Sequence, residues 1–478
     1  MSNSSGGRAG GGSPGASGEH EGAGGIRAAP SSRMPGGRAG GGSAGASGEH
    51  EGAGGIRAAP SSRVHAEVSA RLALQKDLAR HLRAGHPWVF RKALERPPRG
   101  LAAGDIVDVV EGDRFVARGY YDPHSAISVR VLTREPAEAI DGAFWRRRIQ
   151  RAMALRRALV HGTTGFRIVH GESDGLPGVV ADRYGRWAVL KLYSAGLTPH
   201  RGQIVEALRQ VAAEVDGERG GETGWPGPLA GVYGRDEIPR DGEDDGGSPQ
   251  GRVLWGAEPP ERIAIDEHGM KILVDVRRGQ KTGTFLDQRE NRRIVRGLAR
   301  GRAEALNCFS YTGGFSVAAA LGGAKHVVSV DLDADAIALA RENFRENGLD
   351  PDAHAFAADD VFEVLAGFKR EGRRFDLVVC DPPAFAKSQK AVEGALAGYA
   401  SLNRAALAVL SPGGLLVTAS CSARVSAEQF YDAVKEAAFK ARAELQLVDE
   451  RRQPPDHPVS PQFREGRYLK CMVYRRVS

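Results

Sequence analysis

The sequence predicts an α/β protein built around a doubly wound, mainly parallel sheet, and three observations carry that expectation. From Thr284 onward, strand-length apolar runs alternate with helical patterns at the spacing of repeated strand–helix units. Ahead of them, GDIVDVV, RFVARGYY and AISVRVLT are short runs of β-formers separated by turn residues, as in a small β module. Third, carboxylates, glycines and prolines collect at the ends of the later strand runs, where such a sheet binds its ligands.

The 478 residues suggest about three units at roughly 150 residues each. Glycine is in excess at 63 residues, but 20 of these fall in residues 1–65. Residues 6–33 return as residues 36–63 with one change, Pro14 becoming Ala44. Two such copies hold too few apolar side chains to bury, so residues 1–65 read as a disordered, duplicated tail. No apolar run approaches the 18 or so residues of a membrane span, and the first 30 residues are too polar for a secretory signal. The expectation is a soluble cytoplasmic protein. Four cysteines (Cys308, Cys380, Cys421 and Cys471) with no CxxC pair argue against a disulfide scaffold or a zinc cluster, and no metal is expected.

Globular sequence begins near Ala66. The mostly β module runs to about residue 140, and Phe144 to Val160 reads as a helix. FRIVHGESDGLPGVVADRYG and WAVLKLYS read as strand–turn–strand, followed by a helix over 200–215. Residues 217–251 are rich in Gly, Asp and Pro and read as a flexible insertion, in which Val232 to Gly234 could belong to a strand. RIAIDEHGMKILVDV is a hairpin with Glu267, His268 and Gly269 near its turn. Then come a helix over 289–297, the strand AEALNCF, a glycine turn, a helix over 316–321 and the strand HVVSVDLD. A helix over 334–347, the run DAHAFAADD, a further helix, FDLVVCDPP, a helix over 399–410 and GLLVTASCS complete the repeat.

The net charge of +7 is concentrated in clusters. Arg146, Arg147, Arg148, Arg151, Arg156 and Arg157 recur along one helix; Arg277, Arg278, Lys281, Arg289, Arg292, Arg293 and Arg296 form a second set. Such patches suit a polyanion, nucleic acid first, or are simply solvated helix faces.

The strand ends carry the chemistry. Asn307 to Phe315 (NCFSYTGGF) follows the first strand, and Asp331 ends the second, where a carboxylate can accept bonds from ribose hydroxyls. The loop is not GxGxxG, which disfavours a dinucleotide; a nucleoside cofactor or a tight structural turn both fit. Asp359, Asp360 and Val361 end the third strand, where a carboxylate could receive an adenine amino group. Asp381-Pro382-Pro383 ends the fourth as a rigid, extended loop whose carbonyls can face a planar base. Cys421, in Ser420-Cys421-Ser422, sits where a thiolate could attack, although a lone cysteine is more often a small buried hydrophobe.

KTGTFLDQREN, CFSYTGGFSVAA, VVSVDLD, DDVFEVL, DPPAFAKSQ, SCS and the late DHPVSPQFREGRYLKC occur in order behind a GHPWVF module. Over residues 70–478 this series resembles the class I S-adenosylmethionine-dependent methyltransferases. More narrowly, it is similar to the bacterial large-subunit ribosomal RNA (cytosine-5) methyltransferases that carry an N-terminal PUA domain. The resemblance implies a PUA β-barrel (66–140), a central β-α-β domain (141–276) and a Rossmann-like, seven-stranded methyltransferase domain (277–478). It implies S-adenosyl-L-methionine as cofactor, held by Phe309, Tyr311, Gly313 and Leu332, by Asp331 at the ribose, by Asp360 and Val361 at the adenine, and by Asp381. It makes Cys421 the nucleophile and sets Asp381 near N3 of the base. Pro382, Pro383 and Phe385 would shape the base pocket. Lys281 and Arg289, with Thr282, Gly283, Phe285 and Asp287, would flank the cofactor or RNA entrance. Asn307 stands where many class I enzymes have an acidic residue, and no cysteine follows Pro382 in the fourth-strand loop.

The implied partner is 23S ribosomal RNA, free or in an assembly intermediate, with a homodimer as the expected assembly and no membrane. Trp88, Phe90 and Tyr120 could stack on bases, but aromatics in a small β module are more often core. Cys308, Cys380 and Cys471 read as buried. Two other functions compete: methylation of a guanine nitrogen in ribosomal RNA, which needs no thiol, and a non-catalytic RNA-binding assembly factor.

Overall fold

Three sheets and a hairpin make up the chain in a computed structural model, which describes residues 68–218, 225–235, 251–386 and 389–478. The duplicated tail and most of the 217–251 insertion lie outside the described residues. The first sheet orders its strands Ala70–Ala73, Ile106–Glu111, Arg114–Tyr121, Ile127–Thr133 and Trp88–Phe90. Alternating valines and alanines (Val107, Val109, Ala117, Val129, Val131) close its core, as the β-former runs require.

Helix Gly142–Leu159 follows, capped by Asp141, whose carboxylate accepts from the Phe144 amide. The second sheet orders Arg252–Gly256, Gly231–Gly234, Trp187–Leu192, Val179–Tyr184 and Gly165–His170. Its one parallel pair, Trp187–Leu192 with Gly231–Gly234, is bridged by helix Arg201–Glu218, the crossover a parallel pair needs. Val232 to Gly234, open in the sequence, is strand. The hairpin Ile263–Glu267/Met270–Val274 turns on His268 (φ 51°) and Gly269 (φ 75°), the left-handed pair of a two-residue connection.

The arginine-rich helix does not present a free basic face. Arg146 pairs with Glu214, Arg147 and Arg148 with Glu138, Arg156 with Asp174, and Arg157 with Glu218. For five of the six arginines, a carboxylate neutralises the charge that suggested a polyanion.

The third sheet is the large one, and its strands are numbered here: β1 (Glu304–Cys308), β2 (His326–Asp331), β3 (Ala355–Ala358), β4 (Phe375–Cys380), β5 (Leu410–Ser420), β6 (Leu445–Arg451) and β7 (Lys470–Arg476). Their order is β3-β2-β1-β4-β5-β7-β6; the first five run parallel, and β7 is antiparallel to both β5 and β6. The fold class is therefore the Rossmann-like α/β arrangement expected. Chain order reverses between β1 and β4, so the crevice at their carboxyl ends is the binding place of such a sheet.

Two elements exceed the sequence reading. The helix expected over 399–410 starts two turns earlier and spans Val392–Val409. Gly394 and Gly398 depress local helix propensity, but the absent side chain at Gly398 lets Phe385 lie against the helix: a Cβ there would meet the Phe385 ring at 3.2 Å. The segment between β6 and β7 also reaches back across the molecule. Asp456 receives the Arg289 guanidinium, Arg167 N–H and Asp456 Oδ2 bond at 2.9 Å, and Phe463 packs edge-on against Trp88 at 4.7 Å.

The aromatic triplet divides accordingly. Tyr120 is fully buried and donates its hydroxyl to the Pro177 carbonyl, so it offers no stacking face. Trp88 is tied to Glu172 by its indole N–H at 2.9 Å, and only Phe90 is exposed. Among the described residues, no helix is long and apolar enough to cross a membrane.

Candidate active site

A cavity of about 270 Å³ opens at the carboxyl ends of β1, β2, β4 and β5. Phe309, Tyr311, Asp331, Leu332, Asp360, Val361, Asp381, Pro382, Pro383, Lys281 and Cys421 all line it, brought together from six separate stretches of chain.

The β1 loop is shaped to receive something. Phe309 (φ 58°), Tyr311 (φ 47°) and Gly313 (φ 77°) are all left-handed, and for the two aromatics that conformation costs about 1 kcal/mol each. Specific bonds hold them there. Tyr311 N–H donates to Asp331 Oδ2 at 2.7 Å, and the Tyr311 hydroxyl donates to the Gly283 carbonyl at 3.1 Å while accepting from Gln280 N–H at 2.9 Å. Gly313 shapes the loop rather than lining the cavity, because a Cβ there would collide with Ala340 at 2.8 Å. Ser310 Oγ, buried beside the cavity, has no hydrogen-bond partner among the described residues. Asp360 caps helix Val361–Arg370 by accepting from Phe362 and Glu363 N–H. Leu332 stands 76% exposed on the rim, an apolar surface that a flat ligand would cover.

Across the cavity, burial pushes the Asp381 carboxyl up to about 7, with the Asp287 carboxylate adding to the rise; Lys281, Gln288 and Arg292 oppose it. Asp287 behaves in the opposite way. Burial alone would raise it, but Lys281 and the His457 ring, with bonds from Lys281 Nζ (2.8 Å) and the Tyr468 hydroxyl (2.7 Å), hold it well below the usual carboxylate range. The two carboxyls thus differ in charge near neutrality.

Cys421 is the one cysteine that is not fully buried; Cys308, Cys380 and Cys471 all are. Burial pushes its thiol up to about 11, helped by Asp381 and Asp287 and opposed by Lys281 and Lys470. The sequence reading placed a reactive thiolate here, yet in the free protein the sulfur is a neutral thiol. Desolvation outweighs the two ammonium groups.

Two expected site residues stand elsewhere. Arg289 is 1% exposed, and its guanidinium forms a two-pronged pair with Asp456 at 2.9 and 3.0 Å. It braces the C-terminal segment and does not face the entrance. Phe385 packs on Tyr399 at 4.7 Å, behind the cavity wall. Conversely, Gln288, Thr284, Ser310 and Leu469 line the cavity without having been singled out. Gln288 sits within the KTGTFLDQREN motif, so adjacency was a usable signal; Leu469 arrives with the antiparallel β7, for which the strand–helix repeat held none.

The strained loop, the strand-end Asp331, the unpaired Ser310 hydroxyl and the apolar rim fit a nucleoside cofactor carrying a short polar tail. Residues 248–475 match the family model of S-adenosylmethionine-dependent methyltransferases, and residues 72–134 match that of PUA-like domains. A chain from Streptococcus mutans described as a SAM-dependent methyltransferase has the same fold, with a TM-score of 0.71 at 26% identity, covering 85% of this chain and all of that one. A second solved methyltransferase-type chain, complexed with SAH, gives a TM-score of 0.72 at 26% identity over the same shares. Fold and site together define an S-adenosylmethionine-dependent methyltransferase.

The ribosomal RNA large subunit methyltransferase I proteins of Escherichia coli K12 and O157:H7 are each 39% identical over 411 residues, 85% of this chain and 100% of theirs. The chain belongs to that family.

Proposed function

We propose that this enzyme methylates C5 of a cytosine in large-subunit ribosomal RNA through a covalent bond between Cys421 and C6 of the base. The observation that carries the reading is that the one accessible thiol and a carboxyl poised near neutrality line the same cavity as the cofactor loop. The activity named for the Escherichia coli relatives supplies the RNA.

Cytosine C5 is not nucleophilic until a nucleophile adds to C6. The Cys421 thiol would release its proton to solvent and its sulfur would form the S–C6 bond; the C5=C6 pair would move to C4–C5, the C4=N3 pair to N3, and protonated Asp381 would supply the N3 proton. S-Adenosylmethionine, when bound, supplies an electrophilic methyl group. It would be held by the Phe309–Gly313 loop, Asp331 and Leu332, with Asp360 and Val361 at the adenine. Once C5 carries the methyl group, loss of its proton to a base restores the double bond, breaks S–C6 and releases Cys421 as the thiolate, while N3 returns its proton to Asp381. Pro382 and Pro383 would form the wall against which the base lies, and Lys281, at the rim, would meet the RNA backbone. The target base must leave any duplex stack to enter a cavity of this kind.

We further read residues 66–140 as the RNA-holding module, 141–276 as the connecting domain and 277–478 as the catalytic one, acting in the cytoplasm on free 23S RNA or an assembly intermediate.

Cys421→Ala tests the reading: methyl transfer to ribosomal RNA should disappear while calorimetry still detects S-adenosylmethionine binding. RNA carrying 5-fluorocytosine should trap a denaturant-resistant adduct with the unmutated enzyme, since fluorine cannot leave as a proton. Full activity in Cys421→Ala would favour methylation of a guanine nitrogen instead.

A further inference from the structure

Lys470 opens β7, directly opposite Ser420 in the β5–β7 register, so its side chain enters at the turn that carries Cys421. It is buried at 4% exposure, and Nζ donates to the carbonyls of Ser422 (2.6 Å) and Tyr468 (2.8 Å), the first of these being the residue after Cys421. No carboxylate pairs with it among the described residues. The contrast with the buried arginines is sharp: Arg156, Arg183, Arg289 and Arg292 sit on Asp174, Asp216, Asp456 and Glu267. A buried cation without a carboxylate is costly, and such groups persist where the charge has a use.

Lys470 Nζ is held on the carbonyl of the residue after Cys421, and Cys421 is the ionisable group that acts on it electrostatically. Cys421 in turn faces Asp381 from the β4 loop, Lys281 and Asp287 from the segment preceding helix Arg289–Leu298, and Lys470 from β7. Both carboxylates disfavour a thiolate. Lys281 is committed to Asp287 at 2.8 Å and lies over the Phe285 ring at 4.5 Å, which leaves Lys470 as the cation without a competing anion.

We propose that Lys470 is a positioning residue whose buried ammonium is the counter-charge of the Cys421 thiolate, both as the sulfur attacks and as it is released. This rests on the covalent reading for its catalytic meaning, although the pairing itself is measured without RNA. Burial lowers the Lys470 ammonium to about 8, so its support is present below that pH and fades above it.

The test is the rate of iodoacetamide alkylation of Cys421 against pH in the full-length protein, read by peptide mass spectrometry; the other three cysteines are buried. Lys470→Gln can still donate to both carbonyls but carries no charge. It should slow alkylation about tenfold at pH 7.5, the effect of a one-unit rise in the thiol. Lys470→Arg should stay within about twofold of the unmutated protein. If Lys470→Gln alkylates like the unmutated protein, the role is structural and the proposal fails. A second measurement does not require that variant to fold. Because coupling is reciprocal, a carboxylate at the position of the sulfur should raise the titration midpoint of Lys470, followed by NMR of labelled lysine, in Cys421→Asp relative to Cys421→Asn. An unmoved midpoint overturns the pairing. Absence of cytosine methylation alongside a shifted alkylation profile would refute the covalent reading and leave the pairing standing.

Discussion

Removing the Asp456 carboxylate tests how the C-terminal segment is held and whether Arg289 belongs to the frame or to the site. Asp456 is 0% exposed and Arg289 1%, and both carboxylate oxygens accept from the guanidinium. Oδ2 also accepts from Arg167 N–H at 2.9 Å. In Asp456→Ala a buried cation keeps only Glu290, whose nearer oxygen is 3.3 Å from Nε, and the Arg167 amide loses its acceptor. Breaking a buried pair from one side costs about 3–5 kcal/mol, and the Glu290 contact offsets a part, so a loss of about 4 kcal/mol is expected. Urea unfolding followed by tryptophan fluorescence measures it. Arg289→Met combined with Asp456→Leu should recover most of that loss, because an apolar pair of similar volume carries no stranded charge. The pH sign follows from the same geometry. Burial opposes ionisation of Asp456, but the His457 ring and the Arg289 guanidinium hold its carboxyl far below the ordinary value. The stabilisation is therefore fully present above about pH 4 and is lost as the pH falls below it. A loss under about 1 kcal/mol in Asp456→Ala would refute the reasoning. So would an Arg289→Met protein of unchanged stability that no longer binds the methyl donor or RNA, which would return Arg289 to the entrance.

Three further outcomes are expected. With Asp381 near 7 and Cys421 near 11, kcat/KM should rise tenfold per pH unit up to about pH 7 and then level, since further ionisation of the thiol is matched by loss of the Asp381 proton; in Asp381→Asn the residual rate should keep rising through pH 9. A break at the same pH in Asp381→Asn would assign it to another group. Gly313→Ala should weaken S-adenosylmethionine binding at least tenfold by calorimetry, because φ is 77° and the new methyl would sit 2.8 Å from Ala340; unchanged affinity would mean the loop tolerates a different course. A chain beginning at Ala66 should methylate as the full chain does, and lost activity would give the duplicated tail a role.

What the sequence could and could not reveal follows from how far apart the interacting groups lie. Asp331, Asp360, Asp381 and Cys421 were legible because a parallel sheet places the residue after each strand at one edge, and strand runs are local patterns. Gly313 could be singled out for a similar reason, as a loop between strand and helix is short and its glycines stand out, but it shapes the loop rather than lining the cavity. Charge state was not legible. The strand-end position suggests a thiolate at Cys421, and only its burial, with Asp381 beside it, makes it a neutral thiol. Arg289 lies in a motif otherwise facing the cavity, and its partner is 167 residues downstream, so nothing local marks it as structural. The arginine-rich helix misleads in the same way, since Glu138, Asp174, Glu214 and Glu218 cancel it from outside the helix.

Those errors share a direction. Sequence pattern places side chains on elements but does not pair charges across them, and in this protein the pairing separates frame from site. Arg289 and Arg292 are spent on buried carboxylates and hold the segments around the cavity in place. Asp381 and Lys470, each ionisable and neither paired by an opposite charge of its own, are left on either side of the one accessible thiol. A buried charge already matched has nothing further to do in a reaction, whereas one left unmatched is stabilised by whatever charge the reaction creates beside it. By that criterion the proposed covalent chemistry would fall to Cys421 and its two unmatched neighbours, one from the parallel half of the sheet and one from the antiparallel strand that closes it.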